Sequence, residues 1–161
     1  MGTTCTAALI NDSTGRLSIA HVGDSRCYLI RNRQIEQLTQ DHSLVMEQVR
    51  RGLLSKDDEA VHTNQNILTR SLGTEQNVKI DVEEHPLVPG DIVLLCSDGL
   101  EKEMDDDQIL KVVNETREPA QIVKRLIDNA NASGGRDNIT VAVARVDKVG
   151  FMKSLSKWFG G

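Results

Sequence analysis

The chain has 161 residues, enough for one domain with a sizeable core, since a domain near this size removes about 70% of its unfolded surface from water. Its 24 acidic and 19 basic residues leave a net charge of −5, which argues against a general nucleic-acid binder, because phosphate-backbone binding needs a basic face and no Lys/Arg cluster supplies one. No apolar stretch approaches the roughly 20 residues of a spanning helix, and no basic start followed by an apolar run marks an export signal, so the chain reads as soluble and cytoplasmic.

In chain order, residues 3–10 and 17–22 are apolar, Thr/Ile/Val-bearing runs, and the turn formers Asn11-Asp-Ser-Thr-Gly15 between them predict a hairpin. Arg26 to Arg31 and Gln34 to Leu38 extend the meander across Asn32-Arg33. From Leu44 to Asn64 the spacing becomes helical, with Leu44, Val45, Val49 and Leu53 on one face, and Ser55 is placed to cap a second short helix through Glu59. Strands are expected again at 67–69, 78–82 and 92–96. The last, Ile-Val-Leu-Leu-Cys, is an uninterrupted apolar run that predicts a central strand buried on both faces. Asp105-Asp-Asp107 opens an amphipathic helix through Val113, and Pro119 opens another whose face is Ile122, Val123, Leu126, Ile127 and Ala130. Gly134-Gly135 ends it, and residues 139–146 read as a final strand. The order predicts an α+β domain built on antiparallel sheets.

Three acidic motifs stand out: Val22-Gly-Asp24-Ser-Arg26, Cys96-Ser-Asp98-Gly-Leu100 and Gly134-Gly-Arg-Asp137-Asn-Ile-Thr140. Each is read as an aspartate at a strand end, held rigidly by the sheet yet facing a crevice, with glycines nearby that permit close approach of backbone or water. Carboxylates converging without positive partners repel one another. A hard divalent cation resolves that repulsion, and oxygen-only ligands select Mg²⁺ or Mn²⁺ over zinc. Any one of these motifs is also an ordinary turn.

Together with Met1-Gly-Thr-Thr4, Leu38-Thr-Gln-Asp-His-Ser-Leu-Val45, Asn66-Ile-Leu-Thr-Arg-Ser-Leu-Gly73 and Asp91-Ile-Val-Leu-Leu-Cys96, these motifs resemble, in family order, the metal-dependent (PPM, or type 2C) protein serine/threonine phosphatases of bacterial type. The resemblance covers residues 1–147 and implies a sandwich of two antiparallel sheets flanked by helices. It further implies metal ligation by Asp98 and Asp137, a third and weaker ion held with Asp24, and support of those ligands by Asn138 and Gly99. Two or three Mn²⁺ or Mg²⁺ ions are the implied cofactors. The implied chemistry is attack of a metal-activated water on phosphoserine or phosphothreonine in a protein substrate, so no side chain is assigned as a catalytic nucleophile. The segment from Leu44 to Asn64 resembles a mobile flap beside the cleft, or is an ordinary helical crossover.

Family members usually begin with further strands that carry a phosphate-binding arginine and an Asp-Gly motif bridging both metals. The expectation is therefore of a domain incomplete at its N-terminus, with negligible activity on its own, that associates with itself or with a complementing N-terminal segment. A catalytically silent phosphatase-like binding or regulatory module is the alternative from another class, and a sporulation-type regulatory phosphatase is a rival within the same fold.

Other residues carry weaker signals. Cys5, Cys27 and Cys96 read as buried free thiols. His21, His42, His62 and His85 lack the spacing of a transition-metal site and read as structural or surface groups. Ser25 and Ser97 lack a nucleophile elbow. Arg26, Arg70 and Arg136 suit either phosphate contact or neutralisation of nearby carboxylates. Residues 148–161 form an amphipathic tail with Phe151, Leu155, Trp158 and Phe159 near one helical face, open to docking on the domain itself, in a partner groove or at a membrane interface.

Overall fold

Asn11 begins the first reversal: its Oδ1 accepts from the backbone N–H groups of Ser13 (3.1 Å) and Thr14 (3.2 Å), and Gly15 closes the turn at a φ of 65°. The computed structural model, which describes residues 1–55 and 67–148, thus starts with an antiparallel hairpin of β1 (Cys5–Asn11) and β2 (Arg16–Val22). β3 (Arg26–Arg31) and β4 (Gln34–Gln37) form a second hairpin. Its two linking residues, Asn32 and Arg33, both take positive φ (52° and 62°), as the tight mirror-image turn that matches strand twist demands.

Helix α1 (Leu44–Arg50) is capped by Ser43, whose side chain accepts from the Met46 N–H at 3.2 Å, and it stops before Gly52 at a φ of 71°. The expected helical face is therefore cut short, and Leu53 lies exposed beyond the end. The second helix expected over residues 56–59 after its cap Ser55, the rest of the flap-like segment with His62, and tail residues 149–161 lie outside the described residues.

Residues 67–69 do not form a strand; they make one antiparallel bridge, Ser43 to Leu68. The strand expected at 78–82 sits further along, as β5 (Asp81–Pro86). Its register against β2 runs from His21 opposite Asp81 to Arg16 opposite Pro86, so hydrogen bonding to β2 decides its bounds. Being an edge strand, it tolerates Glu83 and Glu84, which obscure its apolar pattern.

β6 (Ile92–Cys96) is followed by a single helical turn, α2 (Asp98–Glu101), that was not expected. α3 (Asp106–Glu115) carries a reciprocal cap, with Gln108 N–H donating to Asp105 Oδ1 (2.8 Å) and Asp105 N–H donating to Gln108 Oε1 (2.9 Å). α4 (Pro119–Ser133) starts on its proline and ends at Gly134, and β7 (Val141–Arg145) is the last regular element among the described residues.

The strands form two antiparallel sheets, ordered β1-β2-β5 and β4-β3-β6-β7. Between the sheets Leu17, Ile19, Cys27, Leu29, Leu38, Leu87, Val93 and Val146 make one core. On the other side of the four-stranded sheet, Tyr28, Ile30, Ile92, Leu94 and Cys96 pack against Leu100, Ile109, Val113, Ile122 and Leu126 from the helices. β6 feeds both cores, as its continuous apolar run predicts. On the far side of the three-stranded sheet Cys5, Leu9 and Val82 are exposed. Cys5 thus departs from the buried-thiol reading because the apolar run holding it is an edge strand. Burial pushes the Cys27 and Cys96 thiols up to about 12, so both stay protonated. Among the described residues no helix is long and apolar enough to cross a membrane.

The Arg33 backbone is the strained point of the second hairpin, since a left-handed non-glycine residue costs roughly 1–2 kcal/mol. Arg33→Gly is expected to raise stability by about 0.5 kcal/mol once glycine's extra unfolded-state freedom is set against that cost. Urea unfolding checks this, and an unchanged or lower midpoint would show that the turn is unstrained.

Candidate functional site

β6 and β7 pair through Cys96 opposite Val141, and the pairing continues past the strand ends. Ser97 N–H donates to the Thr140 carbonyl (3.0 Å), Ser97 Oγ donates to the Asn138 carbonyl (2.9 Å), and Thr140 N–H donates to Ser97 Oγ (3.0 Å). One serine therefore ties the start of α2 to the loop before β7. Gly99 completes the contact, because a Cβ there would run into the Asn138 carbonyl. The glycine is needed for close backbone approach, without any special φ.

This junction brings Asp98 and Asp137 together from 39 positions apart in sequence. Lys102 Nζ donates to Asp98 Oδ2 (2.6 Å) and to Asp137 Oδ2 (3.0 Å), so the two carboxylate oxygens share a single cation. Asp137 does not follow a strand, as its motif suggested; it lies in the loop before β7. Its Oδ1 accepts from the Asn138 N–H at 2.7 Å, and this bond, with Lys102 second, holds its carboxyl below the ordinary aspartate range. Asn138 thus supports the site through its backbone, donating to Asp137 and accepting from Ser97. Burial disfavours the Lys102 ammonium, but the two carboxylates outweigh that and raise its pKa.

Asp24 sits in the link between β2 and β3. His42 grips that link from two sides: its N–H donates to the Gly23 carbonyl (2.8 Å), and its Nδ1 accepts from the Gly23 N–H (3.1 Å). This leaves His42 Nε2 as the donor to Asp81 Oδ2 (2.9 Å), while Arg70 reaches Asp81 Oδ1 at 3.0 Å. Burial, and then the nearby charge of Asp98, push the Asp24 carboxyl above its ordinary range. Asp24 therefore faces the same electrostatic neighbourhood as Asp98 without sharing the Lys102 contact. Among the described residues no three His, Cys, Asp or Glu side chains converge as a ready metal cluster.

The three arginines left open between phosphate contact and neutralisation are all engaged with carboxylates. Arg26 holds Asp41 through Nε (3.0 Å) and Nη2 (2.7 Å) and reaches Glu101 at 3.0 Å. Arg70 holds Asp81, and Arg136 pairs with Glu103 at 2.8 Å. His21 and His42 are buried, their rings 4.7 Å apart, and burial lowers the His21 pKa. Lys102 is the site residue that sequence reasoning missed. Its signal was the four-residue spacing from Asp98, which places both on one side of a helical turn.

Two outcomes follow from this geometry. Gly99→Ala is expected to cost about 1–3 kcal/mol, because the Asn138 backbone must give way; chemical denaturation unchanged from the native chain would refute the close approach. With its folded pKa above the unfolded value, Asp24 lowers stability at neutral pH and has no effect where both states are protonated. Asp24→Asn should therefore raise the melting midpoint at pH 7, by an amount that shrinks as pH falls through the carboxylate range. A gain equal at pH 7 and at pH 3 would contradict this.

Known proteins place this architecture. A sequence model described as protein phosphatase 2C matches residues 1–139. The serine/threonine phosphatase stp of Listeria monocytogenes serotype 4b is 42% identical over 147 residues, which cover 91% of this chain and 58% of that protein. The solved structure of the Mycobacterium tuberculosis serine/threonine phosphatase PstP/Ppp superposes with a TM-score of 0.85 at 36% identity, over 91% of this chain and 61% of that one. A structure of the PstP catalytic domain in complex with two manganese ions matches with a TM-score of 0.80 at 37% identity, over 91% of this chain and 60% of that one. The chain therefore spans less than two-thirds of the length of these relatives. The same two-sheet, helix-flanked fold and the match over residues 1–139 establish that the chain belongs to the protein phosphatase 2C family.

Proposed function

We propose that the protein carrying this chain hydrolyses phosphoserine and phosphothreonine in protein substrates, and that this chain supplies aspartates of its metal centre. The observation that carries the reading is the convergence of Asp98 and Asp137 on one cation. Their donor set is oxygen only, which suits a hard divalent ion such as Mn²⁺ or Mg²⁺. The manganese-bound relative supports that choice of ion without separating the two metals. Asp24 is proposed as a weaker contributor, because its carboxyl lies close enough to feel the Asp98 charge.

When bound, such ions activate water and neutralise charge on phosphoryl oxygens. This chain's own residues hold the donors in place. Ser97 and Gly99 keep the α2 start against the loop before β7, and the Asn138 N–H fixes the Asp137 carboxylate. His42 orients the link that carries Asp24. Phosphorylated proteins are the proposed partners, and the acidic balance of the chain speaks against nucleic acid. Action in the cytoplasm is part of the same proposal.

Calorimetric titration with Mn²⁺ tests the assignment. Asp98→Asn and Asp137→Asn are each expected to weaken binding by about 10-fold or more relative to the unsubstituted chain. If all three bind alike, the metal assignment is wrong.

A further inference from the structure

The run Glu101-Lys102-Glu103 sets one cation between two anions, and the anions are already served. Glu101 is 3.0 Å from an Arg26 guanidinium nitrogen, and Glu103 is paired with Arg136 at 2.8 Å. Lys102 instead turns toward Asp98 and Asp137. Its side chain is only 27% exposed, so the ammonium is partly withdrawn from water to make that contact. The Asp137 carboxylate has one oxygen engaged by the Asn138 N–H, and the other is the oxygen that Lys102 holds.

We propose that Lys102 is a tethered cation that occupies the Asp98–Asp137 pair and competes with the divalent ion for it, so that Lys102 sets the ion affinity of the site. The inference rests on the metal reading of that pair given above. A divalent ion binding both Oδ2 atoms would stand against an ammonium hydrogen-bonded to the same atoms, and two cations at that separation repel. Lys102 must then swing away, which its flexible four-carbon stem allows, while the guanidiniums of Arg26 and Arg136 stay with their own carboxylates. With no ion bound, the same ammonium relieves the repulsion between the two aspartates and keeps the junction of α2 with the loop before β7 closed. Lys102 is thus a positioning residue whose effect on ion binding opposes its effect on the apo fold.

The test is Mn²⁺ binding by the full chain, read by calorimetry and by the electron paramagnetic resonance signal of free Mn²⁺, at fixed pH and ionic strength. Lys102→Met, which removes the charge and keeps most of the length, is expected to bind Mn²⁺ about 10-fold tighter or more. Lys102→Arg keeps the charge and is expected to stay within about 3-fold of the unsubstituted chain. Equal or weaker binding by Lys102→Met would reduce Lys102 to a structural tie and overturn the inference while leaving the metal site standing. Absence of binding in both the unsubstituted chain and Lys102→Met would overturn the metal reading itself, and the inference with it. A second measurement needs no variant: lysine side-chain ¹⁵N resonances followed through a Mg²⁺ titration. Release of the Lys102 ammonium as Mg²⁺ binds is expected, and a Lys102 signal unmoved at saturation overturns the competition.

Discussion

The backbone of Gly99 lies directly against the backbone of Asn138, and the candidate site depends on that contact. The pairing of β6 with β7 supplies the alignment, and Ser97 extends it past the strand ends with three hydrogen bonds. A side chain at position 99 would push the loop away and separate Asp137 from Asp98. The site is therefore an extension of sheet geometry: the positions two residues beyond the end of β6 and four before the start of β7 are joined by hydrogen bonds and backbone contact that continue the strand pairing.

Around that junction the protein resolves a crowded set of acids by pairing each with a specific cation. Asp41 and Glu101 take Arg26, Asp81 takes Arg70, Glu103 takes Arg136, and Asp98 with Asp137 share Lys102. One of these pairs is shielded on both sides, the Arg26 and Asp41 side chains being 13% and 5% exposed, whereas Arg136, the partner of Glu103, is 72% exposed. Loss of one member of a shielded pair leaves a charge without compensation, so such networks hold geometry even where they add little net stability. Asp24 is the exception in this set. Its raised pKa reflects burial and a neighbouring anion, the condition of a carboxylate that gains from a cation nearby.

The relatives give this arrangement its context. A likeness to PstP/Ppp with a TM-score of 0.85 at 36% identity extends over 91% of this chain, so both sheets and the packed helices belong to the shared fold. Within that fold this chain places, just past the end of β6, a lysine one helical turn after Asp98, directed at the two aspartates rather than at the glutamates beside it.

The sequence by itself determined much of the fold. The turn formers of Asn11 to Gly15, the apolar run Ile92 to Cys96, the capping pair Asp105 and Gln108 and the proline at 119 act through neighbours a few residues away, so their consequences are visible in order along the chain. The acidic motifs were visible too, because Asp98-Gly and Asp137-Asn are contiguous and resemble a known family. Tertiary structure alone decided the rest. β5 begins three residues later than its apolar pattern suggests, because an edge strand takes its bounds from hydrogen bonding to β2. Cys5 is exposed because its strand has one neighbour. Lys102 meets Asp137, and the three arginines meet their carboxylates, through separations of 11 to 75 positions that no local period encodes. Periodicity reports which face of an element is buried, whereas the meeting of charges depends on strand register and loop closure, which exist only once the sheets are formed.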